Sequence, residues 1–470
     1  MKKDFVSDAL RKGLNKEMPK AARVLLWVLS AAVFFVFARY ARYAMIDEFS
    51  GYRTAELQIL TAVVYTAIFA VSFGIQTVTG KKMPAYVHIL LALITGLVLL
   101  GKISLLDYVS DDYDIFLSNW IYDYSLMSFK EGLGRYIQSD YSPPYLYLLL
   151  LISRVPDFPW QYLVKALSIA FEVLMAYAVM KLSSLKVRGK GAQLAVYHIA
   201  SLLPTVVFDG AYWGQCDVIY TSLCLMALYM GLTRCSVRSM VFFGLALSFK
   251  FQTVFFLPVL LPLWLRRDIK LRHLVLIPAA YMVMMIPALW GGKSMHHVLT
   301  VYLQQAGNYN FITMNGPNFY QLLPDLDGAM LYSMFSPMAM MLGGAAVMAM
   351  CAVVSVRREC LTEESTLLSC LMTIGGVVLL LPKMHERYMF GADILSLVAA
   401  VYRPTLRRMA LPLLYGFSSY IAYTGGLPGE KLMDLQWAGL LLIIAVALTG
   451  AELWQSLNEK QHAAAAEVKA

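Results

Sequence analysis

Residues 240–273 read MVFFGLALSFKFQTVFFLPVLLPLWLRRDIKLRH. The run is apolar from Met240 to Leu265 except around Lys250 and Gln252, and a basic segment, RRDIKLRH, closes it. A membrane-spanning helix takes about 20 residues, so two full crossings do not fit. One crossing would carry the basic segment to the outer face. Lys and Arg in short loops favour the cytoplasmic side, so that choice would invert every later loop. The reading that satisfies both constraints is a pair of half-helices that enter and return on the inner side. Lys250 and Gln252 then sit at the tip, deep in the membrane. Broken backbone at that depth is tolerated where it lines a polar cavity.

The rest of the chain is of the same kind. It has 470 residues, 59% hydrophobic and 15% charged, where an average soluble domain is about a quarter charged. Spanning-length apolar runs recur along it, so the expectation is an all-α polytopic membrane protein, one membrane domain over 1–470. The N-terminal MKKDFVSDALRKGLNKEMPKAARV is basic and no A-x-A site follows the first run, which reads as an uncleaved helix. The net charge of +9 gathers in short loops. That is membrane topology, not a nucleic-acid surface. The six cysteines have no C-x-x-C, and Cys216 and Cys224 read as packing residues.

Upstream of the hairpin, runs at 22–45, 57–78, 84–106, 161–183, 191–208 and 218–233 alternate between basic inner loops and mixed or acidic outer ones. The long segment 107–142, with Asp107, Asp111, Asp112, Asp114, Asp123 and Asp140, falls outside. After it, 143–160 is too short to span. Parity makes it a half-depth hairpin or an interfacial helix, with Pro143 and Pro144 in a first helical turn. Downstream, runs at 274–290, 331–356, 365–381, 388–402, 409–427 and 435–456 enclose a second outer loop, 291–330. The total is roughly 12 to 14 membrane segments by the length a crossing needs, with both termini cytoplasmic. No internal repeat is visible.

One outer apex carries PKMHERYMF, residues 382–390, with Lys383, His385, Glu386 and Arg387 between apolar runs. A charge at membrane depth costs about 2.5–3.5 kcal/mol on insertion scales. Cations gathered there with Lys250 suit an anion such as a lipid phosphate, and Lys or Arg clamps stabilise a phosphate leaving group. The structural alternative is an internal ion pair with Glu386 and a nearby Asp. SDDYDIFLSNW (110–120) offers a carboxylate as general base, or only solvated acids. In YWGQCD, Asp217 complements a helix N-terminus and Trp213 could anchor an interface. NYNFITMNGPNFY (308–320) reads as a sugar-binding wall or as a structural loop. His296–His297 lacks further ligands, so no metal is expected.

DYDIFLSNW with YSPPYLYLLLL, then YWGQCDVIYT, GLALSFKFQ and PKMHERYMF, resemble in that order the GT-C-fold membrane glycosyltransferases, in particular bacterial relatives of GPI mannosyltransferase II. The resemblance covers about 105–400. Two positions depart from it, Phe251 and Gly391, where the pattern has proline. It implies a polyprenyl- or dolichyl-phosphate sugar donor, mannose as the sugar with glucose or another hexose open, and outer-face inverting catalysis with an Asp of the first outer loop as base. By position before Trp120 that is Asp112, with Asp111 and Asp114 as competitors. It implies substrate contacts for Tyr145, Gln215, Asp217, Lys250, Gln252, His385, Glu386 and Arg387, and no cofactor. The acceptor, a lipid or a glycan, is not named by any residue. A transporter or lipid flippase is the competing reading, because broken helices and midplane charges serve transport too. An inactive partner subunit is a third.

Overall fold

The computed structural model describes residues 17–40, 54–135, 137, 139, 141–156, 158–307, 311–323, 329–426 and 431–469. Asp140, the connection over 41–53 and the stretches 308–310 and 324–328 fall outside them. Eight helices among the described residues are long and apolar enough to cross a membrane. The protein is an all-α polytopic membrane protein.

Of the other membrane segments expected from the sequence, 409–427 forms helix Leu406–Gly426, 21 residues long but not among the eight, and the rest are shorter. Lys190–Ser201 and Pro204–Trp213 form one pair bent by 51°. Pro143–Ile152, Asp217–Leu232, Ser236–Phe249, Phe251–Leu265 and Phe390–Tyr402 are shorter apolar helices. Nearly every residue of Asp217–Leu232 and Phe390–Tyr402 is buried, so these two form the centre of the bundle. A helix hydrophobic all round belongs in such a position. The stretch 143–160, expected as a half-depth hairpin or an interfacial helix, opens with helix Pro143–Ile152. This is a ten-residue buried helix, and its Tyr147 hydroxyl accepts a hydrogen bond from the Ala288 N–H at 2.9 Å. Its two prolines do occupy the first turn.

The stretch 240–273 folds back on itself as its sequence predicts. Helix Ser236–Phe249 ends at Lys250, whose backbone is extended (φ −152°, ψ 136°), and short 3-10 turns and helix Leu260–Leu265 lead back. The two ends of the hairpin meet. Ser236 Oγ accepts from the Lys270 N–H at 3.0 Å and lies 2.8 Å from His273 Nδ1. Arg234 and Arg266 both reach Asp268, at 3.4 and 2.7 Å. No proline makes the break. Gly391, the other departure, has a different use: a Cβ there would lie 2.7 Å from the Phe256 ring. Its absence lets the returning arm pack against Phe390–Tyr402.

Among the described residues, one two-stranded sheet lies outside the all-α pattern. Thr313–Met314 pairs in parallel with Met384–His385, joining the second loop to PKMHERYMF. Lys383 N–H donates to the Ile312 carbonyl at 3.0 Å and Gly316 N–H to the Met384 carbonyl at 2.9 Å. Asn315 (φ 58°) and Lys383 (φ 60°) take left-handed backbone to make the register. A Cβ on Gly316 would lie 2.2 Å from the Met384 carbonyl oxygen, so only glycine fits.

Candidate active site

The site assembles where the hairpin tip, the first long loop and PKMHERYMF meet. Ser142, the residue before the two prolines, donates from Oγ to the Phe249 carbonyl at 2.9 Å. It thereby satisfies a carbonyl that the end of helix Ser236–Phe249 leaves without an intrahelical partner. The next residue, Lys250, donates from Nζ to Asp217 Oδ1 at 2.7 Å, with both side chains buried. Asp217 opens helix Asp217–Leu232, where a carboxylate also faces the positive end of the helix dipole. Lys250 Nζ lies 5.8 Å from the Tyr141 ring centre and 5.9 Å from that of Tyr220, within cation–π reach.

The first loop is carried by its neighbours. Lys165, buried in helix Trp160–Ser183, donates to the carbonyls of Leu105 and Tyr108 at 2.8 and 2.7 Å. Ser110 Oγ donates to the Trp213 carbonyl at 2.9 Å. Those anchors bring Asp112 to Gln215, which follows a π-helical turn, Val207–Trp213, and Gly214 with φ 83°. Gln215 donates from Nε2 to Asp112 Oδ2 at 2.6 Å and accepts from the Tyr141 hydroxyl at 3.1 Å. Of the three competing acids, Asp111 and Asp114 are exposed and Asp112 faces this network.

Arg387 joins the parts. Its Nη1 donates to Asp112 Oδ2 at 2.9 Å, and its Nε lies 3.7 Å from Asp217 Oδ2. Glu386 is further from it, at 3.9 Å, and lies 3.8 Å from His385 Nδ1. The guanidinium carbon stands 5.7 Å from the Trp213 ring centre. The internal ion pairs weighed in the sequence therefore exist: the Asp is Asp217 for Lys250 and Asp112 for Arg387, with Glu386 more distant.

In front of these pairs lies a cavity of about 490 Å³. Lys250, Lys383, His385 and Arg387 line it, and among the described residues no carboxylate does. Asp112, Asp217 and Glu386 pair with these cations without lining the cavity. The rest of the wall is largely apolar and aromatic, including Phe251, Phe255, Met340 and Leu381. Such a space offers positive charge at one wall and hydrocarbon around it. Gln252 lines the cavity too, and its Oε1 has no hydrogen-bond partner among the described residues. Tyr145 does not line it. It is buried behind Tyr141, ring centres 4.7 Å apart. Of the loop NYNFITMNGPNFY, Asn308–Asn310 lie outside the described residues and Met314 alone lines the cavity; its other visible work is the parallel ladder. His296 and His297 do not line it.

Sequence reasoning offered Trp213 as an interface anchor but missed Tyr141 and Tyr220 of the aromatic surround, and a further buried acid. Asp209 is fully buried and accepts from the Tyr423 hydroxyl at 3.1 Å. Its Oδ2 has no partner among the described residues. Tyr220 stands three residues after Asp217, one helical turn on, so it could have been found from spacing. Asp209 carries no such signal, because the π turn that buries it is not visible as a pattern.

An all-α membrane bundle with a charged, apolar-walled cavity at a broken helix admits either a membrane transferase or a transporter. Comparison with family models decides between the classes. Residues 140–382, just over half the chain, match glycosyltransferase family 87, and the chain belongs to that family. It is a multi-pass membrane glycosyltransferase. Among curated proteins, none matches the chain.

Proposed function

We propose that the protein transfers a hexose from a polyprenyl-phosphate donor to a lipid or glycan acceptor on the outer membrane face, with inversion at the anomeric carbon. Mannose is the sugar favoured by the ordered motifs that resemble bacterial relatives of GPI mannosyltransferase II and the GT-C fold. The observation that carries this reading is the cavity wall: cations from two hairpins face one space, their carboxylate partners are not part of its lining, and the remaining lining suits an isoprenoid.

In this reaction an acceptor hydroxyl attacks the anomeric carbon from the side opposite the phosphate. Asp112 takes the hydroxyl proton as the new glycosidic bond forms. The bond from the anomeric carbon to the phosphate oxygen breaks, and polyprenyl phosphate leaves with that electron pair. Lys250, His385 and Arg387 stabilise the charge that develops on it. Gln215 and Arg387 hold Asp112 by one oxygen, Oδ2, which leaves Oδ1 as the proton acceptor. Glu386 orients His385, and Asp217 fixes Lys250. Tyr145 supports Tyr141 and is not a substrate contact in this scheme. Family membership disfavours the transporter and flippase readings.

The test is a transfer assay with purified protein, labelled polyprenyl-phosphate mannose and a total lipid extract. Label appearing in a new product that is absent with Asp112→Asn supports the proposal. Labelled donor consumed equally by Asp112→Asn, or crossing vesicles with no transfer, overturns it.

A further inference from the structure

A second cavity lies at the other end of helix Ala85–Ile103 from the Asp112 loop, about 28 Å along the axis at 1.5 Å per residue. It is a groove of about 360 Å³ between helices Lys20–Tyr40 and Thr54–Thr79. Its mouth is built by backbone pairing. Met18 N–H donates to the Met83 carbonyl at 3.3 Å, and Glu17 bridges to Pro84. This brings Lys20 and Arg23 beside Lys81, and Arg23 Nη1 donates to the Lys81 carbonyl. The floor is Trp27, held by its Nε1 hydrogen bond to the Ala70 carbonyl at 2.8 Å. Gly74 faces the indole: a Cβ there would meet Nε1 at 3.4 Å, an ordinary contact distance.

The lining has a polarity. Lys20 and Trp27 are seven residues apart on one helix, and Gly74 and Lys81 seven apart across the end of the other. Each interval is about 10 Å at the helical rise. Three cations therefore hold one end of the groove and Trp27 and Gly74 the other, with the exposed Val24 (54%) and Val78 (73%) between them. Among the described residues no carboxylate lines it. A free anion would leave the apolar end uncovered, and a neutral lipid would leave the cations unmatched. The N-terminal segment 1–16 has Lys2, Lys3, Arg11, Lys12 and Lys16 against Asp4 and Asp8, so like charge disfavours it as the occupant.

We propose that this groove binds an anionic phospholipid, its phosphodiester between Lys20, Arg23 and Lys81 and one acyl chain along Val24, Trp27 and Val78. Basic residues beside an anionic headgroup and an interfacial tryptophan above the acyl region are the chemistry of such recognition.

Native mass spectrometry of the full chain in detergent, titrated with phosphatidylglycerol, phosphatidylcholine or inorganic phosphate, tests it. Two variants are needed: Lys20→Gln/Arg23→Gln/Lys81→Gln, which removes the charges, and Gly74→Leu, which fills the apolar end. Each Lys or Arg near an anionic lipid contributes about a fivefold factor, so the triple variant should retain phosphatidylglycerol about a hundredfold less. Gly74→Leu should also lose phosphatidylglycerol, and inorganic phosphate should not displace it from the natural chain. Equal retention of phosphatidylglycerol and phosphatidylcholine overturns the proposal. So does a triple variant that binds normally. A Gly74→Leu protein that still retains phosphatidylglycerol, displaceable by inorganic phosphate, means an anion patch and overturns the lipid assignment. Thermal melting of each variant checks folding. Should Gly74→Leu melt early, Val78→Glu puts a repelling carboxylate in the same groove on an exposed position and must weaken phosphatidylglycerol retention.

Discussion

Arg387→Ala separates a substrate clamp from a structural ion pair. The Arg387 side chain is 15% exposed, that of Asp112 33%, and that of Asp217 fully buried. Removing the guanidinium leaves Asp217 its Lys250 partner at 2.7 Å and Asp112 its Gln215 partner at 2.6 Å. Breaking a fully buried pair costs about 3–5 kcal/mol. Here one carboxylate keeps a cation and the other is a third exposed, so a stability loss of about 1–2 kcal/mol is expected. Donor binding should suffer more. One charge-assisted bond to a phosphate is worth about 1.5–3 kcal/mol, or about 10- to 150-fold in Kd. The assay pairs thermal denaturation with polyprenyl-phosphate binding, for Arg387→Ala and for Arg387→Ala with Asp112→Asn. The clamp gives a small melting shift and weak binding in both variants. Unchanged phosphate binding, with a large melting loss recovered in the double variant, would refute the reasoning and leave the cluster a structural pair.

Asp112→Asn should lower turnover at least about 100-fold with little change in donor binding, whereas Asp111→Asn and Asp114→Asn, both at exposed positions, should leave kcat near normal; steady-state kinetics read all three. Topology can be read with an impermeant thiol reagent after Cys235 and Cys351, the two cysteines that are not buried, are replaced. Asn119→Cys should label from outside and Lys190→Cys should not, both positions being exposed; Ala211 is buried and unsuitable. The reverse pattern would move the site to the inner face. Gly316→Ala should cost about 1–3 kcal/mol by overpacking against the Met384 carbonyl. It should also weaken polyprenyl-phosphate binding by displacing Lys383–Arg387, while Gly376→Ala, whose Cβ meets nothing within 4 Å, should do neither.

Much of the bundle could be read from the chain alone, because apolar length is a local property. The run at 57–78 appears as Thr54–Thr79, 161–183 as Trp160–Ser183, and 435–456 opens the helix Leu435–Lys469. The hairpin with Lys250 at its tip was legible for a related reason: a charge in the middle of an apolar run and a basic segment at its end exclude a single crossing. What the sequence left open was contact. Three aspartates within four residues look alike until Ser110, Gln215 and Arg387 select one of them. Asp112 and Arg387 are 275 residues apart, and no periodicity links them. The burial of helix Pro143–Ile152 was not legible, because a short apolar run does not say what covers it. The parallel ladder between Thr313–Met314 and Met384–His385 needs two segments that only the packed bundle brings together. Composition and run length determined the membrane and the helices. The tertiary structure decided which cations face the cavity and which carboxylates pair with them, since hydrogen bonds and ion pairs act over a few ångströms between groups far apart in the chain.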